Sequence, residues 1–152
     1  MQVSRSIDIQ APQEVVWSII TDIENAQHRI SGIKEVEILK PATGPSITGL
    51  KWRETREMMG KDATEEMWIT QASAPDFYEA EAASHGAVYT SRLELSHAGG
   101  TTALTMHFDG KPETFMAKII WALTGWMAKS ALKKTIDQDL KDIKAVAEAS
   151  KL

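Results

Sequence analysis

The chain has 152 residues, no cysteine and a formal net charge of −4. That length suffices for one domain, residues 1–152, with a real core. The missing cysteine excludes disulfides, thiol catalysis and thiolate metal sites, and the negative balance argues against bulk electrostatic binding to nucleic acid or anionic lipid. Residues 1–112 hold ten basic and sixteen acidic side chains, and residues 113–152 hold seven and five, an asymmetry expected of a solvated helix face. The opening Met1–Ser6 has no apolar signal core, and the longest weakly charged stretch, 119–128, is too short to span a bilayer. These features fit a reducing, cytoplasmic setting.

In chain order, Val3–Ile9 reads as a strand with Val3, Arg5, Ile7 and Ile9 on one face. Pro12 suits the first turn of a helix, and Val16, Trp17, Ile19, Ile20 and Ile23 recur at helical spacing, so Gln13–Thr21 is expected to be a short amphipathic helix with Trp17 in the core. Asp22 or Asn25 is placed to cap a second short helix ending near Arg29, which Ser31-Gly32 breaks. Strands are expected at Ile33–Lys40, Gly49–Met59, Ala63–Ala72, Phe77–Ala83, Ala87–Ser96 and Thr101–Asp109. The turns between them are the loop 41–45, Gly60-Lys61-Asp62, Ala74-Pro75-Asp76, Ser84-His85-Gly86 and Ala98-Gly99-Gly100. Gly110-Lys111-Pro112 then opens a helix running to about Ala149, ~55 Å at ~1.5 Å per residue.

In the second half of that helix Leu132, Ile136, Leu140, Ile143 and Val146 or Ala147 form an apolar stripe. Lys133, Lys134, Asp137, Asp139, Lys141, Asp142 and Lys144 fill the opposite, charged face. The first half is apolar all round, through Phe115, Met116, Ile119, Ile120, Trp121, Leu123, Trp126 and Met127, and Gly125 marks a bending point. Strands grouped between early helices and one late helix imply an α+β fold: a curved antiparallel sheet of about seven strands around the long helix, with two short helices after strand 1.

This layout resembles the START-like superfamily, also called SRPBCC, with its helix-grip fold, and in particular the polyketide cyclase/dehydrase-like branch. The resemblance is carried by Ile7-Asp8-Ile9-Gln10-Ala11-Pro12-Gln13-Glu14-Val15-Val16-Trp17, by Ile20-Thr21-Asp22, by the strand entry at Gly49, by the Ala74-Pro75 turn and by the final helix. It covers nearly the whole chain. It implies a deep cavity between sheet and helix, and a function among cyclases, lipid carriers and ligand binders that the fold alone does not choose between.

The two-residue period sorts the strands into faces. The more apolar set of the strand Gly49–Met59, namely Leu50, Trp52, Glu54, Arg56 and Met58, is expected to face inward. So are Met67 and Ile69; Tyr78, Ala80 and Ala82; Tyr89, Ser91, Leu93 and Leu95; and Leu104, Met106 and Phe108. Glu54 and Arg56 stand out, because charges on an inward face need partners. They pair with each other or meet a ligand's polar end. Arg56 suits a carboxylate or enolate, and a desolvated Glu54 suits a general base. Tyr89 and His85 are candidate proton donors, with His85 aimed from a turn at the cavity mouth. Trp52, Met67, Tyr78, Met106, Trp121 and Trp126 complete the expected lining, together with Trp68.

His28, His85, His97 and His107 show no ligand spacing, no cofactor motif is present, and no cluster suggests a nucleophilic triad. No metal and no cofactor are therefore expected. The favoured function is binding of a small hydrophobic or amphipathic ligand (lipid-, polyketide- or aromatic-like). A cyclase or dehydratase using Glu54 and Arg56 is the alternative. A partner- or membrane-docking module without ligand, built on the Phe115–Met127 surface, is the third. A monomer and a homodimer both remain compatible.

Overall fold

The computed structural model describes residues 2–58, 60–84, 87–112 and 115–150, and their side chains except those of 58, 84, 112–126 and 128. Strand β1 is Gln2–Ile9, followed by helix α1, Gln13–Ile20, and a short 3-10 helix, Ile23–His28. Strands β2 (Ile33–Lys40), β3 (Lys51–Met58), β4 (Lys61–Ser73), β5 (Phe77–Ser84), β6 (Ala87–Ala98) and β7 (Thr101–Pro112) come next. Helix α2, Phe115–Ser150, ends the described chain. The seven strands form one curved antiparallel sheet in the order β1-β7-β6-β5-β4-β3-β2. This is the helix-grip arrangement.

The alternation in each strand selects which residues reach the helix. Val3, Ile9, Trp52, Ile69, Tyr78, Ala80, Leu93, Leu95 and Leu104 are buried on the concave side, meeting Ile136, Leu140, Ile143 and Ala147 of α2. Polar contacts fix the helix in place. Arg5 grips Asp137 through Nε and Nη2, both at 2.7 Å. Lys144 donates to the Asp8 carbonyl at 2.6 Å. Ser31 donates its amide and hydroxyl to Asp142 at 2.9 and 2.8 Å, which ties the loop after the 3-10 helix to α2. A shift of register between β4 and β5, at Ile69/Gln71, moves the inward positions of β4 from Met67 and Ile69 to Ala72, while Tyr78, Ala80 and Ala82 of β5 all stay inward.

Several boundaries differ from the sequence expectation. β7 continues through Pro112, which pairs with Ala87, so the long helix opens later than Gly110-Lys111-Pro112 suggests. β4 begins at Lys61, because the β3–β4 turn is tighter than three residues and uses Gly60 at φ 81°. β3 begins at Lys51, since Gly49 sits at φ 90° outside the strand. Pro12 stands before the first helical turn in an extended conformation, and its carbonyl receives the amides of Val15 and Val16. The second helix is 3-10; Asp22 precedes it without a side-chain cap, and Asn25 bonds the Asp22 carboxylate. Trp17 is half-buried and meets Tyr78 edge-on at 6.3 Å. Trp68 lies opposite Glu81 on the other face from Met67, so it belongs to the convex side. Asp139 is 4% exposed and inward, not on the solvated face of the helix. The helix runs unbroken through Gly125, and the expectations about side chains at Phe115, Met116, Ile119, Ile120, Trp121, Leu123 and Trp126 lie outside the described residues.

Candidate ligand cavity

Between the concave face of the sheet and α2 lies a cavity of about 400 Å³. Its wall is mainly apolar: Ile19, Ile23, Ile30, Leu93, Met106 and Ile136 are among the residues that form it. Of the residues expected to face a ligand, Trp52, Glu54, Arg56, Met67, Tyr78, Tyr89 and Met106 all line it. His85 and the side chains of Trp121 and Trp126 lie outside the described residues. Ile69, Ala82 and Leu95 are inward and buried but sit beyond the cavity wall, in the solid part of the core.

Three charged side chains of the wall, Glu54, Arg56 and Asp139, form one cluster. Arg56 donates from Nε to Glu54 Oε2 at 2.7 Å, from Nη1 to Asp139 Oδ1 at 3.2 Å and from Nη2 to Asp139 Oδ2 at 2.7 Å. Trp52 Nε1 adds a long bond of 3.4 Å to Glu54 Oε1. The two-pronged face of the guanidinium is therefore occupied from within by Asp139. Of the two expectations for Arg56, the internal pair with Glu54 is present and is extended by Asp139, so a ligand carboxylate or enolate would have to compete with Asp139. Gly32 closes over the cluster: a Cβ there would stand 3.2 Å from Arg56 Nη1, so a larger residue would press on the ion pair.

Electrostatics follow from this enclosure. Burial raises the Asp139 pKa, and the opposing pull of Arg56 does not cancel it. Arg56 remains charged: its two carboxylate partners outweigh the burial that would lower its pKa. The Tyr78 hydroxyl is pushed up by burial and then by the negative charge of Glu54, and Tyr89 moves the same way through burial and Glu65. Both hydroxyls therefore keep their protons near neutrality. Tyr89 stacks its ring at a tilt against Phe108, 5.5 Å between centroids.

Asp139, Glu65 and Arg29 line the cavity without having been singled out from the sequence. Asp139 had a legible signal. Leu132, Ile136, Asp139 and Ile143 are spaced four, three and four apart, which is one helix face. Glu65 is the cross-strand partner of Glu54, readable only once the β3–β4 register is known. Arg29 Nη1 is buried 3.2 Å from Asp22 Oδ2, close enough to pair charges but angled away from a hydrogen bond.

The convex face carries a second feature that the sequence reading denied. Ser4 Oγ lies 2.7 Å from His107 Nδ1, and His107 Nε2 lies 3.2 Å from Glu94 Oε2, a serine–histidine–carboxylate line across β1, β7 and β6. Glu94 is also held by Arg92, and that bond lowers the pKa of its carboxyl. A carboxylate so stabilised draws less on the imidazole. The line faces away from the cavity, and cross-strand polar pairing on a solvated face accounts for it. Among the described residues no group of three or more histidine and acidic side chains is placed to hold a metal, and no helix is long and apolar enough to cross a membrane.

Residues 1–148 match the family described as polyketide cyclase / dehydrase and lipid transport. The chain belongs to that family. Its fold is shared with a START superfamily protein from Mycobacterium smegmatis, at 17% identity, 97% coverage of both chains and a TM-score of 0.81. A protein of Thermus thermophilus is similar at 14% identity over the full length of both chains, with a TM-score of 0.83. The Zhui aromatase/cyclase from Streptomyces sp. R1128 aligns at 15% identity and a TM-score of 0.75, covering 97% of this chain and 93% of that one. No curated protein matches the chain by sequence. At these identities the likeness is one of fold, and function has to be argued from the cavity.

Proposed function

We propose that the whole chain acts as one ligand-binding domain, and that it holds a small hydrophobic or amphipathic molecule between sheet and helix. The observation that carries this reading is the cavity itself. Its volume of about 400 Å³ lies within the ~300–1,000 Å³ of small-molecule sites. Apolar walls supply the affinity, while the Glu54–Arg56–Asp139 cluster and the Tyr78 and Tyr89 hydroxyls orient the ligand. Membership of a family whose description includes both cyclases and lipid transport supports the same reading.

Native mass spectrometry of the purified protein, with and without added apolar probes, tests it. Ser91 faces the cavity and is half-buried, so Ser91→Phe fills space without touching the charged cluster. Binding of an apolar probe to the parent and its loss in Ser91→Phe, with the fold intact by circular dichroism, is the expected result. Equal binding by both proteins would remove the cavity as the site.

The second reading, acid–base turnover of the bound molecule, is favoured by one observation: two carboxylates, Glu54 and Asp139, share one guanidinium inside an apolar space. Once a substrate is known, Glu54→Gln is expected to abolish turnover and spare binding. Turnover that survives the substitution would dispose of Glu54 as the base.

A further inference from the structure

Helix α2 has one face whose chemistry changes along its length. At about 3.6 residues per turn, positions three and four apart stack into a single stripe. In the second half of the helix Met127, Ser130, Lys134, Gln138, Lys141 and Ala145 follow that spacing, and every one of them is exposed. This is the solvent side, since Leu132, Ile136 and Asp139, which line the cavity, stand on the opposite side of the helix. The helix is unbroken from Phe115, so the same spacing carried back from Met127 passes through Leu123, Ile120 and Met116, with Ile119 and Trp126 at the adjoining positions. A stripe that is polar toward the C-terminus thus becomes wholly apolar toward the N-terminus. Met127 stands at the change. It is 47% exposed, and among the described residues it is the only large hydrophobic left so open.

Charge says what the stripe meets. Residues 114–136 contain four lysines, Lys118, Lys129, Lys133 and Lys134, and no acid, in a chain whose net charge is −4. Lys129, Lys133 and Lys134 are exposed. An apolar helical stripe with tryptophan at its edge and lysines around it is the pattern of a helix that lies in the plane of an anionic bilayer. We propose that the first half of α2 docks the protein on an anionic lipid surface, apolar stripe toward the acyl chains and lysines against the headgroups. The uncharged run 119–128 is too short to cross a bilayer, so the helix lies on it. Screening over about 8 Å lets this local patch act although the rest of the chain is acidic. A second copy of the chain is a poorer occupant, because a symmetric contact along this helix brings the lysines of both copies together.

Sedimentation with vesicles of phosphatidylcholine and phosphatidylglycerol in equal parts, against vesicles of phosphatidylcholine alone, tests the proposal. The full chain should go down with the anionic vesicles and stay in solution with the neutral ones, and added salt should release it. Lys133→Gln/Lys134→Gln removes two exposed charges and should weaken the partition roughly thirtyfold. Met127→Glu should weaken it by more than about tenfold, through the loss of a buried apolar side chain. None of these three residues lines the cavity, so circular dichroism and apolar-probe binding should match the parent. No sedimentation of the parent, equal partition onto both kinds of vesicle, or binding that the folded variants keep overturns the docking and leaves the cavity proposal standing. A doubled mass in solution that Met127→Glu returns to the monomer, without vesicle binding, gives the face to a second copy and equally overturns it.

Discussion

Replacing Arg56 with Met removes the one cation shared by two enclosed carboxylates. The side chains of Arg56, Glu54 and Asp139 are 20%, 14% and 6% exposed, so water offers little relief. Breaking a buried ion pair by deleting one member costs about 3–5 kcal/mol, and two orphaned carboxylates place Arg56→Met at the upper end. At roughly 2–4 °C per kcal/mol for a chain of this size, the melting temperature should fall by about 10–20 °C at pH 8. The loss must also depend on pH. Burial already raises the Asp139 carboxyl pKa, and without the guanidinium the opposing pull is gone, so the folded value stands further above the unfolded one. For an acid shifted that way, stability falls as pH rises through the interval between the two values. The deficit of Arg56→Met should therefore shrink from pH 8 to pH 5, as Asp139 takes a proton. A control completes the test: Glu54→Leu/Arg56→Met/Asp139→Leu leaves no charge to strand, and it should recover most of the loss. Calorimetric melts of the three proteins across that pH range provide the readout. A deficit under about 1 kcal/mol at pH 8, or one independent of pH, would refute the account of a cation holding two buried acids together.

Asp139→Asn should flatten the pH dependence of stability. The folded pKa of Asp139 is raised from 3.8, so its contribution is fully favourable below that value and declines as pH climbs through the raised one. Urea midpoints between pH 4 and 7.5 should fall for the parent relative to the variant, and parallel profiles would count against a buried, desolvated Asp139. Leu140→Ala should cost about 2–5 kcal/mol by chemical denaturation, because Leu140 is 1% exposed where helix meets sheet; a cost under 1 kcal/mol would mean that α2 is not gripped there. Ser4→Ala should change stability by no more than about 0.5 kcal/mol and leave hydrolysis of p-nitrophenyl acetate at its background. Hydrolysis that depends on Ser4 would show that the convex serine–histidine–glutamate line is chemically active.

Much of the fold was readable because period and punctuation agree in this chain. Alternation in β7 placed Leu104, Met106 and Phe108 together, and Gly99 at φ 64° marked its hairpin. Inward faces were legible even for charged residues, since Glu54 and Arg56 are fixed by Trp52 two residues away. What resisted reading was pairing between distant segments. Asp139 stands at the spacing of the buried stripe, but as an acid it reads as solvated until its partner Arg56, 83 residues earlier, is in view. Glu65 became a site residue through cross-strand register, and the Ser4–His107–Glu94 line through the adjacency of β1 with β7 and of β7 with β6. The extra length of β7 was hidden by Pro112, which reads as a helix start yet can sit at a strand end.

The sheet order has a consequence for how the protein is made. β1 is synthesised first, but its neighbour in the ladder is β7: Val3 lies opposite Phe108 and Ile9 opposite Thr102. On the ribosome the opening strand therefore waits for some hundred residues before its backbone finds a mate, while β2 to β6 can close hairpin upon hairpin as they emerge. Assembly is expected to finish at that first-made edge, and pulse-labelled hydrogen exchange during refolding should find the Val3 amide among the last to gain protection.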